Sequence, residues 1–196
     1  VFFSASLLAF AGDTYSVRDV DNSPLDDLKL DVTQVELYQL DNSRMVFKVS
    51  FAALPDVERL RVLLDLDGPG RGEPASGADY MIEGASLYRY PKGATDWTWD
   101  AVEPPFLFVE GRTVTYMLPD IPGLSAVKGG GWIVETTFPD QKVADRVPAA
   151  GAVSFDFAGL PAVPAETELI PEDLSEFVAS APASLCFRLD TELKGR

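Results

Sequence analysis

With 196 residues, 46% of them hydrophobic and 11% aromatic, the chain can bury the core of one domain, or of one domain with an appendage, which argues against bulk disorder. Thirty-one acids against 16 bases give a formal charge of −15. Such a surface repels phosphate backbones and anionic headgroups, which argues against nucleic acid or membrane partners and for neutral ligands and divalent cations. There is no histidine and one cysteine, Cys186, which removes His-based triads, imidazole metal sites, internal disulfides and multi-cysteine zinc sites.

Residues 1–12, VFFSASLLAFAG, form an apolar run ending in Ala9-Phe10-Ala11 before Gly12. The triplet suits a signal-peptidase site, but no basic residue precedes the run. It reads as a first strand, with a retained signal remnant as the alternative. No stretch has the roughly 18 apolar residues of a membrane helix. Residues 12–27 are polar and acidic and predict a long loop. In residues 28–40, Leu28, Leu30 and Val32 hold one phase and Val35 and Leu37 the other, which predicts a strand with a bulge or break at Thr33-Gln34. Asp41-Asn42-Ser43-Arg44 is a turn by composition, and residues 45–51 (MVFKVSF) complete a hairpin.

Residues 60–66 (LRVLLDL) run into Asp67-Gly68-Pro69-Gly70, a buried strand entering a tight loop, and residues 79–83 return. Residues 86–90 (SLYRY) and 96–103 (DWTWDAVE, stopped by Pro104-Pro105) read as strands. Residues 106–109 and 113–118 flank Glu110-Gly111-Arg112 as a further hairpin. Residues 119–131 predict a loop with one short helical turn, 132–138 (WIVETTF) a strand, 139–148 a loop and 152–157 (AVSFDF) a strand. About ten short strands without a long amphipathic helix predict an all-β fold, an antiparallel, jelly-roll-like β-sandwich over residues 1–157. Residues 158–196 read as an extension: a Pro/Ala-rich linker, a short C-terminal helix over 172–179 opened by Pro171-Glu172-Asp173, and a strand at 184–189.

Asp65 and Asp67, two apart, point the same way on a strand, and Asp79 opens the returning one. These acids either cap turns by accepting backbone N–H bonds or hold calcium, which takes six to eight oxygens; the acidic 19–27 loop is a further oxygen source. The spacing is not that of an EF-hand. Trp97 and Trp99, Tyr88 and Tyr90, and Trp132 are either core rings or stacking surfaces for a sugar. Ser125-Ala126-Val127-Lys128 matches S-x-x-K but lacks the companion motifs. Gly129-Gly130-Gly131 leads into a strand rather than the helix that a phosphate loop needs. Nothing selects a glycosidase acid pair.

In chain order, Asp26-Asp27-Leu28, Leu63-Leu64-Asp65-Leu66-Asp67 with Gly77-Ala78-Asp79-Tyr80, then Leu87-Tyr88 and Trp97, and finally Asp145-Arg146-Val147-Pro148 form a pattern that resembles the family-9-type carbohydrate-binding modules and the wider DOMON-like sandwich superfamily. The resemblance covers residues 12–157. It implies an exported, non-enzymatic module, periplasmic or extracellular, that binds glycan between aromatic rings and in some members holds calcium. Haem-binding relatives use Met and His ligands, and this chain has no histidine. A structural or protein-interaction module of the cell envelope is the alternative, and a hydrolase a third reading.

Overall fold

The computed structural model describes residues 15–18, 27–67, 77–91, 93, 94 and 96–164. The expected first strand, the helix at 172–179 and the strand at 184–189 lie outside these residues.

The described chain folds as an antiparallel β-sandwich. One sheet holds β1 (Tyr15–Arg18), β2 (Val32–Gln39), β3 (Met45–Phe51), β8 (Phe106–Glu110) and β9 (Thr113–Met117), in the order β1-β2-β3-β9-β8. The other holds β4 (Leu60–Asp65), β5 (Tyr80–Glu83), β6 (Ser86–Arg89), β7 (Asp100–Ala101), β10 (Gly130–Thr137), β11 (Val143–Val147) and β12 (Val153–Phe155), in the order β11-β10-β4-β5-β6-β7. β12 pairs the start of β10 and β11 its second half, so two short strands lie end to end along one border of β10.

Alternation explains which side chains meet. Val35 and Leu37 of β2, Phe47 and Val49 of β3, and Val114 and Tyr116 of β9 face Val62 and Leu64 of β4, Ile82, Leu87, and Trp132 and Val134 of β10. Trp132 meets Phe47 edge-on across the layers, with centroids 6.2 Å apart. The Tyr116 hydroxyl donates to the Gly84 carbonyl in the β5–β6 turn at 2.9 Å. Gly130 is required by space, because a Cβ there would stand 2.8 Å from the Phe155 ring and from Val127. Phe157 and Leu160 close the core, and the first compact unit runs to Val163.

The bulge expected at Thr33 is present between Val32 and Gln34. The Val32 N–H there donates to Asp145 Oδ2 at 2.7 Å, and the Thr136 hydroxyl donates to the Leu30 carbonyl at 2.6 Å. Asp145 of the 145–148 mark therefore sits where one sheet is tied to the other.

Four expectations are corrected. The 12–27 loop contains β1. The strand expected from residue 28 starts at Val32, because Leu28–Leu30 form a turn closed by the Leu30 N–H on the Asp27 carbonyl. The 139–148 loop contains β11, a polar border strand without an apolar alternation to reveal it. Residues 96–103 do not form a continuous strand: only Asp100–Ala101 pair, and Trp97 and Trp99 belong to an arm.

Candidate functional site

The outward face of the seven-stranded sheet carries three cross-strand rows. In the first, Arg146, Glu135, Arg61 and Glu83 stand side by side on β11, β10, β4 and β5. Their charges alternate, with Arg146 Nε 3.1 Å from Glu135 Oε1 and Arg61 Nη2 2.5 Å from Glu83 Oε1. In the second row Ile133, Leu63, Met81 and Tyr88 make an apolar strip. In the third, Gly131 opposes Asp65, and Asp79 follows beside it through its N–H bond to the Leu64 carbonyl.

The arm after β6 folds over these rows. Leu63, Ala78, Met81 and Ile133 form a small second cluster against which Tyr88 and Trp99 pack. Tyr90 meets Trp99 edge-on at 5.3 Å, and Trp99 meets Trp97 at 5.5 Å. The Tyr90 hydroxyl donates to the Asp96 carbonyl at 2.9 Å, which pins the arm at its root. The Arg61 guanidinium lies 5.7 Å from the Trp97 ring centroid, a cation–π contact worth about 0.5–1 kcal/mol at an exposed site. Trp97 remains 48% exposed.

The five predicted rings thus have different surroundings. Trp132 is in the core at 1% exposure and Tyr90 is buried, whereas Tyr88 and Trp99 are half-buried. Trp97 alone of the five presents a broad free face. Trp97 and Trp99 share an edge contact rather than facing each other across a groove.

Asp65, Asp67 and Asp79 converge, each offering a carboxylate oxygen within 4.8 Å of the others. Asp65 Oδ1 accepts the Asp67 N–H at 3.1 Å, and Asp79 Oδ2 accepts the Leu66 N–H at 2.7 Å. Turn capping is therefore part of their role. A calcium ion would use the remaining lone pairs and draw its other oxygens from carbonyls and water. Beside the cluster, Leu63, Ala78, Gly131, Ile133 and Ala152 line a shallow depression.

Arg61, Met81 and Ile133 were not singled out from the sequence, and Leu63 entered only as part of a longer mark. The available signal was the lack of alternation in residues 60–66: Leu63 is apolar on the face opposite Val62 and Leu64, so both faces of β4 had to be covered. Among the described residues no helix is long and apolar enough to cross a membrane. No family model and no curated protein matches the chain.

Proposed function

We propose that the protein is a non-enzymatic recognition module that binds neutral carbohydrate on the outward face of its seven-stranded sheet. The observation that carries this reading is Trp97, a large ring half open to solvent yet held by Trp99 and Arg61. A sugar's C–H face packs on such a ring, while carboxylates nearby accept its hydroxyls. The charge of −15 favours neutral glycans over acidic ones. An exported location, periplasmic or extracellular, and a calcium ion on Asp65, Asp67 and Asp79 belong to the same reading.

Calorimetry against soluble cello-, xylo- and manno-oligosaccharides tests it. Binding that is lost in Trp97→Ala and kept in Trp132→Phe supports the reading. Absence of heat from every glycan, or equal binding by Trp97→Ala, overturns it. For calcium, added CaCl2 raises the melting temperature by mass action, about 2.7 kcal/mol of stabilisation at a hundredfold excess over Kd, and Asp65→Asn abolishes the rise. A melting temperature indifferent to both calcium and chelator removes the ion.

A second reading, a protein-interaction module, is favoured by β8. This strand borders its sheet among the described residues and leaves Phe106, Phe108 and Val109 40–44% exposed. Such an edge offers unpaired backbone groups and apolar side chains together.

A further inference from the structure

Where the two layers part at one end of the sandwich, a cleft of about 120 Å³ opens, room for several waters or one small organic molecule. Its position follows from alternation. Ile82 and Leu87 face the core, so Tyr80 and Arg89, two residues further along their strands and paired with each other, face inward at the mouth. The opposite wall is the loop after β9, tied to the other sheet by the Leu118 N–H on the Met45 carbonyl and the Ile121 N–H on the Ser43 carbonyl. Leu87, Val102 and Ile121 make an apolar floor, and Arg89, Glu103 and Asp120 stand around it.

Among the described residues, none of these three charged groups forms an ion pair. Asp100, cross-strand from Arg89, does not pair with it either. A bare anion would meet Arg89 but also two carboxylates, within a protein of charge −15. A bare cation would meet the carboxylates but also the guanidinium. Tyr80 adds a phenol hydroxyl to the lining.

We propose that this cleft binds a small zwitterion with an apolar tail, an α-amino acid in chemical class. Its carboxylate lies on Arg89, its ammonium between Glu103 and Asp120, and its side chain on Leu87, Val102 and Ile121. The site is separate from the Trp97 face and does not depend on it.

Calorimetry on the full chain at neutral pH uses three probes: L-leucine, leucinamide, which lacks the carboxylate, and 4-methylpentanoate, which lacks the ammonium. L-Leucine is expected to bind saturably, with the other two at least about tenfold weaker, a difference of ~1.4 kcal/mol each. Arg89→Gln and the double variant Glu103→Gln/Asp120→Asn each weaken leucine at least about tenfold, Arg89→Lys retains part of the binding, and Trp97→Ala leaves it unchanged. These substitutions are at exposed side chains, and matching melting temperatures confirm the fold. The proposal is overturned if leucine shows no saturation up to about 50 mM, if either truncated probe binds as well as leucine, or if Arg89→Gln binds leucine like the parent.

Discussion

Trp132 and Trp97 stand on opposite sides of the seven-stranded sheet. Trp132 is enclosed by two layers: it pairs Leu64 across the β10–β4 ladder and meets Phe47 from the other sheet. Trp97 rides on an arm one segment thick, held by a neighbouring indole and one guanidinium. The same residue type is thus a core member where a whole sheet covers it and a surface platform where only a loop does. What separates the two is how many layers of backbone lie above the ring, and burial energy scales with that covered area.

Replacing the core ring tests this contrast most severely. Trp132→Ala is expected to lower unfolding free energy by about 3–5 kcal/mol in urea titrations. Trp132→Phe costs much less, because the indole N–H is buried without an acceptor and its removal recovers part of the loss. Leu63→Ala, under the arm, is expected to cost about 2 kcal/mol, the low end for buried leucine, because the thin cover can settle into the gap. A loss equal to that of Trp132→Ala would mean that the second cluster is as rigid as the first.

Tyr116→Phe removes the bond from one layer to the Gly84 carbonyl and is expected to cost about 1 kcal/mol at neutral pH. The parent protein also has an alkaline limit. Burial raises the pKa of Tyr116, and burial, then the Glu36 carboxylate, pushes Tyr38 up to about 12 from an ordinary value of 10.0. A raised phenol stabilises the fold fully below pH 10, and that contribution drains away as pH climbs through 12. Melting temperatures taken from pH 9 to 12 should fall, and Tyr116→Phe should flatten the fall. The smallest effect belongs to Trp97→Ala: about 0.5–1 kcal/mol, the size of its contact with Arg61, since half its ring is already in water. A large loss there would erase the distinction between core and platform.

How far the sequence could be read follows the same contrast. The 45–51 strand, the hairpin around Gly111 and the bulge near Thr33 were legible because their side chains alternate against one extensive core. The arm was not. Trp97, Trp99 and Ala101 alternate as a strand would, but the rings are satisfied by lying across Leu63 and Arg61 rather than by a ladder. Local periodicity records that a residue wants cover and not what supplies it. β11 escaped for the opposite reason: Asp145 and Arg146 spend their side chains on the Val32 N–H and on Glu135, polar tasks that leave no apolar rhythm. For the site, the acids could be chosen from spacing alone, whereas separating Trp97 from Trp132 required knowing which ring the second sheet encloses.

The pair of short strands laid end to end on β10 leaves a seam. Between them, residues 149–152 are exposed, and the Arg146 guanidinium holds the Gly151 carbonyl at 2.9 Å like a clasp. Because each strand owns its separate ladder to β10, new termini or a grafted domain at Ala149-Ala150 interrupt neither. The molecule therefore carries a natural splice point on its border, where cargo can be inserted while both halves keep their grip on the same strand.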